Sequence, residues 1–247
     1  MPDGHAERTL VLRLAGPLQS WGLTGQFIER DTASHPTKSG VIGMLAAALG
    51  RARGEDISDL TALRFGVRVD RPGVLLRDYH TISHHDGTPM RSADGKLTAA
   101  NTTKITHRYY LSDAVFLVGL NGSDPAQLDE LSAALRRPVY APFLGRKSCV
   151  PAGRIDLGVH DGGLVDVLSG FAWHGGIPGG HQRPGDKLHL IVEDTGGADL
   201  ITDVPTNFDP KRRGFQSRRI NHLRVALADP TTGEQPDFHD LFSLIGW

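Results

Sequence analysis

The sequence predicts an α+β fold of the ferredoxin-like type, with a long arm inserted between its second and third strands and a smaller, mostly β module after it. Three observations lead there. Apolar or alternating runs at Thr9–Leu14, Phe65–Asp70 and Ala114–Leu120 read as strands. Two stretches of helical spacing, Ser39–Leu49 and the one opened by Asp124 and Pro125, are interleaved with them. The polar stretch from Arg71 to Ser112 is too long for an ordinary connection.

Each element has a local reason. In "TLVLRL" Leu10, Leu12 and Leu14 share one strand face, and the Gly-Pro after it stops the strand. "SGVIGMLAAALG" ends at Gly50, a helix stop, while Gly40, Gly43, Ala46 and Ala47 leave one flank open to close packing by another backbone. "FGVRVD" alternates again. "HHDGTP", "SADGK" and "NTTK" are turn-forming clusters, and with "KITHRYYL" they read as a hairpin-like arm. "AVFLVGL" is continuously apolar and suits a buried central strand. Asp124 is an N-cap, Pro125 a first helical residue, and Leu128, Leu131 and Leu135 line one face of the helix that follows. The extended "PVYAPFLG" then supplies the last strand of a β-α-β-β-α-β unit. The expected division is residues 1–150 for this unit, with its arm at about 71–112, and 151–247 for the β-rich module. In that module "LHLIVE" and "RINHLRVAL" are strand candidates. "FHDLFSLIGW" has Phe238, Leu241, Phe242 and Ile245 at helical spacing and reads as a short docking helix.

Composition narrows the function classes. With 39% hydrophobic and 22% charged residues the chain suits an ordinary globular protein, and a formal net charge of −1 means that any nucleic-acid role must come from local patches. The basic residues are 21 Arg and 6 Lys, and arginine is the side chain that pairs bidentately with phosphate. Cys149 is the lone cysteine, so no internal disulfide or thiolate zinc site is expected, and a reducing cytoplasm fits. No segment has the apolar length of a membrane span, and the start has no export signal.

Five stretches carry candidate chemistry. In "SHPTKSGVIGM" Lys38 stands just ahead of a helix start, an electrostatically poor place for a lysine unless an anion sits there or the side chain reaches back into solvent. It is not a P-loop, because Gly25, the nearest upstream glycine, is too distant. In "GPLQSWG" Trp21 is either a base-stacking platform or a lid over the core. In "LGRKSC" Arg146 and Lys147 follow a glycine in a turn that suits a phosphate or plain solvent. In "KITHRYY" Lys104, His107 and Tyr109 are the residue types of a metal-independent ribonuclease, although on a strand Lys104 faces away from the other two. "PKRRGFQSRRINHLR" is strongly basic and suits phosphate contacts that carry no sequence information. His80, His84, His85 and Asp86 have no helical setting that would make their spacing metal-binding, and no metal or other cofactor is expected.

"LRLAGPLQSWG", the Arg30 and Thr32 pair, "PTKSGVIGMLAAALG", "LRDYHT", "YLSDA" and "FLGRKSC" occur in one order between about Leu10 and Pro151. As an ordered set they resemble the CasD subunits of the type I-E CRISPR surveillance complex Cascade, the fifth numbered Cas family within the RAMP superfamily. The resemblance implies an RRM-like RAMP domain in a non-catalytic RNA-binding subunit. Such a subunit holds the 5′ handle of the CRISPR RNA, contacts the backbone and large subunits through its arm and body, meets target DNA through the complex, and serves antiviral defence in the cytoplasm. Placed on the matching motifs, the RNA-facing residues are Gln19, Trp21, Arg30, Thr32, Thr37, Lys38, Ser39, Arg108, Tyr110, Arg146 and Lys147. The alternative is a metal-independent endoribonuclease that processes CRISPR repeat RNA with Lys104, His107 and Tyr109, because a related subtype uses its member of this family in that way.

Overall fold

Strand β1 (Arg8–Ala15) sits between two partners, so both of its faces are buried: Leu10, Leu12 and Leu14 on one side, Val11 on the other. The computed structural model describes residues 7–22, 29–91, 96–176 and 187–226. After β1 come β2 (Leu18–Gln19), β3 (Glu29–Arg30), helix α1 (Lys38–Ala48), the single turn α2 (Ser58–Thr61) and β4 (Arg64–Arg71). A hairpin of β5 (Val74–Ile82) and β6 (Lys104–Ser112) precedes β7 (Val115–Gly122). Helix α3 (Pro125–Arg136), β8 (Asp156–Asp161), α4 (Leu164–Gly170), β9 (Lys187–Glu193), β10 (Asp199–Asn207) and β11 (Gly214–Ala226) complete the described chain.

Two sheets result. The larger runs β10-β11-β9-β4-β7-β1-β8, and every pairing in it is antiparallel. Strand β7, interior between β4 and β1, is buried on both faces, as its unbroken apolar run requires. Helices α1 and α3 cover one face over Leu10, Leu12, Phe65, Phe116 and Val118, and α4 covers the other over Val11, Leu117, Leu190 and Val192. In the smaller sheet β6 has β2 and β3 on one edge and β5 on the other. The strands after residue 151 continue the larger sheet at both ends, β8 beside β1 and β9 beside β4.

Helix α1 is built by local rules. Thr37 caps its start by accepting a hydrogen bond from the Gly40 amide, and Gly50, at φ 81°, ends it. The Gly50 amide donates to the Ala47 carbonyl at 3.0 Å and the Arg51 amide to the Ala46 carbonyl at 2.9 Å, the paired bonds of a Schellman motif. The open flank expected at Gly40 and Gly43 receives side chains instead of a backbone: the Trp21 ring lies against Gly40 and the Phe208 ring against Gly43. Asp124 caps α3 by accepting from the Ala126 amide, with Pro125 as the first helical residue.

The last strand of the first unit lies elsewhere than expected. "PVYAPFLG" is irregular, because the Val139 and Tyr140 amides donate to the Ala48 and Ala47 carbonyls and so satisfy the end of α1. The strand beside β1 is β8, whose polar residues and register shift hide it from a periodicity search. "FHDLFSLIGW" and most of "GGIPGGHQRPGD" lie outside the described residues.

Candidate nucleic-acid interface

A turn, a short parallel strand and the hairpin meet at one place. β3 runs parallel to β6, with Glu29 beside His107 and Arg30 beside Arg108. Directly paired residues share a sheet face and alternate residues of one strand do too, so Arg30, Arg108 and Tyr110 stand on one side. Arg146 arrives from the turn after Gly145, whose φ of 86° lets the chain reverse there. That turn is pinned by the Cys149 amide donating to the Arg146 carbonyl and the Ser20 amide donating to the Leu144 carbonyl.

The Arg146 guanidinium lies 4.8 Å from the centroid of the Tyr110 ring and donates from Nη2 to the Arg30 carbonyl at 2.7 Å. Its Nη1 and the Nε of Arg108 are buried and have no hydrogen-bond partner among the described residues. An arginine cannot shed its proton, so each is a charged donor short of an acceptor, and a buried donor in that condition costs about 1–3 kcal/mol until an acceptor arrives. Lys147 stands exposed in the same turn, and Arg30 is exposed beside it. The cluster is therefore suited to an oxygen-rich anion.

Other expected contacts are engaged inside the protein. Lys38 is 1% exposed; its Nζ lies 2.9 Å from Glu193 Oε2, and its amide donates to Asp203 Oδ2 at 2.8 Å. Arg218 grips the same Asp203 through Nε and Nη2, at 2.6 and 2.9 Å. This corrects the expectation of a phosphate at the start of α1, since a carboxylate of the protein itself occupies the helix terminus and a second neutralises the lysine. Burial lowers the Lys38 pKa, and Glu193 opposes that shift.

Trp21 is likewise a core residue. It is fully buried, its amide donates to Thr32 Oγ1 and its Nε1 to Gln19 Oε1. Gln19 in turn donates from Nε2 to the Leu14 and Ala114 carbonyls, and Ser39 packs its hydroxyl 3.3 Å from that of Thr37. Gln19, Trp21, Thr32, Thr37 and Ser39 thus support the interface from within and do not line it. The basic run at 210–224 is also partly spent: Arg218 on Asp203, Arg219 on the Gly197 carbonyl, and Arg212 beside Asp209.

The triad expected for ribonuclease chemistry is split. β6 is a regular strand, which sets Lys104 on the face opposite His107 and Tyr109. His107 Nε2 lies 3.0 Å from Arg77 Nη2. A guanidinium only donates, so Nε2 accepts and the proton of the neutral ring resides on Nδ1, which is buried without a partner among the described residues. Arg77 escaped the sequence reading because β5 is exposed and has no buried face to mark a period, and only its pairing with β6, Arg77 opposite Tyr109, brings it here. His84, His85 and Asp86 do cluster in one turn, all exposed, with Asp86 Oδ1 accepting from His84 and from the Thr88 amide and hydroxyl. His80 belongs to β5, outside that turn. The Cys149 thiol is buried, which raises its pKa.

The family model described as CRISPR-associated protein (Cas_Cas5) matches residues 9–221. The CRISPR system Cascade subunit CasD of Escherichia coli (strain K12) is 40% identical over 156 residues, covering 57% of this chain and 66% of that relative. A chain of a solved structure titled CRISPR RNA-guided surveillance complex superposes with a TM-score of 0.75 at 37% identity, covering 89% of this chain and 90% of that one. A second, titled crystal structure of Cas protein, gives a TM-score of 0.68 at 40% identity over 90% and 98% of the two chains.

Proposed function

The chain belongs to the CRISPR-associated Cas_Cas5 family, and from that premise we propose that it is a non-catalytic RNA-binding subunit of a Cascade-type surveillance complex that holds the 5′ handle of the CRISPR RNA. One observation carries the RNA contact. Arg30, Arg108 and Arg146 converge around Tyr110, with donors on Arg108 and Arg146 that no group among the described residues satisfies. Phosphate oxygens are the acceptors that match, and Lys147 adds charge at the rim. Backbone and large subunits are the protein neighbours in this reading, and target DNA is met through the assembled complex in the cytoplasm.

Strand order supports a ferredoxin-like body. β8-β1-β7-β4, all antiparallel, is the 4-1-3-2 order of a β-α-β-β-α-β unit, and the β5–β6 hairpin is then the arm inserted between its second and third strands. In this reading β9, β10 and β11 form the smaller module of the second part of the chain, joined edge to edge to the body through β4.

The reading is non-catalytic because His107 Nε2 is occupied by Arg77 and Lys104 points the other way. The test is to incubate the purified chain with its own CRISPR repeat RNA in EDTA, following cleavage on a gel and binding by filter retention across a salt series. Intact RNA with salt-dependent retention, weakened by Arg108→Ala and Arg146→Ala, is the expected result. Cleavage at one position, blocked by a 2′-deoxy substitution there and lost in His107→Ala, overturns it in favour of a repeat-processing ribonuclease.

A further inference from the structure

In the outer part of the larger sheet, β9 and β11 bring two imidazoles together. Arg224 pairs directly with His189 and His222 with Ile191, so the two histidines are diagonal neighbours on one sheet face, the face from which Glu193 meets Lys38. His189 Nε2 lies 2.9 Å from His222 Nδ1. The ring centroids are 5.0 Å apart and the ring planes differ by 22°. Beyond the gap between the nitrogens, what remains of the centroid distance is close to two ring radii. The rings therefore meet edge to edge, and each nitrogen points at the other.

Facing nitrogens need a positive centre between them, and a proton on one ring can serve. His222 Nε2 lies 3.6 Å from Asp199 Oδ2, a carboxylate that favours the proton on Nε2 and leaves Nδ1 as a lone pair. Burial, and then the charges of His222, Arg224 and His35, lower the pKa of His189, so its ring is neutral near pH 7. A neutral ring can carry its proton on Nδ1 as readily as on Nε2, and both facing nitrogens are then lone pairs. Two imidazole nitrogens, one of them backed by a carboxylate, are the donor set of a metal site.

We propose that His189 Nε2 and His222 Nδ1 bind a divalent transition-metal ion of the zinc class, with Asp199 orienting His222 and water completing the coordination. Tetrahedral bonds of about 2.0–2.1 Å set two nitrogens about 3.3 Å apart, so the pair opens by about 0.4 Å and the rings tilt outward. The His222 side chain, 43% exposed, has room for that movement. The ion takes the place of the hydrogen bond as a clasp between β9 and β11. Arg224, opposite His189, works against a cation there and limits the affinity. The site does not rest on the RNA reading, since Arg30, Arg108 and Arg146 belong to β3, β6 and the turn after Gly145.

The test titrates the full chain, stripped with a chelator and dialysed, with zinc chloride by isothermal calorimetry, and records melting curves with and without zinc. Zinc is expected to bind and to raise the melting temperature. His189→Gln and His222→Gln should each weaken that binding at least tenfold and Asp199→Asn about tenfold, whereas Arg224→Gln should tighten it. His84→Gln combined with His85→Gln should leave it unchanged. The zinc-free melting curves check that each variant folds, and the two histidine variants probe the site from separate strands. No zinc uptake at about 1 mM, uptake indifferent to His189→Gln and His222→Gln, or uptake lost with His84 and His85 would each overturn the assignment.

Discussion

Lys38 Nζ and Glu193 Oε2 lie 2.9 Å apart although 155 positions separate them in sequence, and this pair, with Asp203 and Arg218, ties the start of α1 to β9, β10 and β11. Removing one partner of a buried pair strands the other's charge, at a cost of about 3–5 kcal/mol. Glu193→Ala should therefore lower stability by about 3 kcal/mol in urea denaturation, and Lys38→Met should cost less because the Glu193 carboxylate it leaves is 24% exposed and keeps Arg218 at 3.9 Å. Folded Lys38→Met is expected to bind handle RNA like the parent. A loss of binding at unchanged stability would return Lys38 to the RNA surface.

Arg146 combines a ring contact with a bidentate-capable fork, so lysine is a poor replacement. Arg146→Lys should weaken RNA retention nearly as much as Arg146→Ala. Each is expected at about tenfold, one charged hydrogen bond's worth. The logarithmic salt slope should fall by about one for each phosphate contact removed. Equal binding by Lys and Arg at this position would mean that charge alone matters there.

Gly145 has φ 86°, and a Cβ on it would collide with the Ser20 carbonyl. Gly145→Ala pays about 1–2 kcal/mol for the left-handed conformation alone, and the collision displaces the turn that carries Arg146. The expected outcome is loss of RNA retention together with a lower melting temperature, whereas Gly54→Ala, in open space, should change neither.

His174 gives the fold a pH dependence. Desolvation is the largest cause of its depressed pKa, which falls from 6.5 to about 4. Above pH 6.5 the imidazole is neutral in both folded and unfolded chains. Between 6.5 and 4 the unfolded chain takes up a proton that the folded chain refuses, so stability falls as pH drops through that window, by about 3 kcal/mol in all. Urea midpoints measured from pH 7.5 to 4.5 should fall less steeply in His174→Gln than in the parent.

Elements with a strong local signal were legible without the fold. β1, β4 and β7 follow from their side-chain alternation or apolar run, α1 and α3 from their spacing and from Gly50, Asp124 and Pro125. β8 and β5 were not, since Asp156, Gly158 and His160 in one and the exposed faces of the other leave no period to detect. The short α4 packs Leu164, Val167 and Leu168 onto the sheet, but seven residues hold too few turns to stand out.

The sequence by itself determined the family, through an ordered set of motifs, and the presence of Arg30, Arg108, Arg146 and Lys147 in the motif-bearing part of the chain. Which basic residues stay available to a ligand was decided only by the tertiary structure. Lys38 and Arg146 look alike in sequence, each basic and beside a glycine-containing turn. One meets Glu193 and Asp203 from distant strands, while the other meets a tyrosine ring and a backbone carbonyl that leave part of its guanidinium unsatisfied. A charge's partner is set by what long-range packing brings within about 4 Å, and no local pattern encodes that distance.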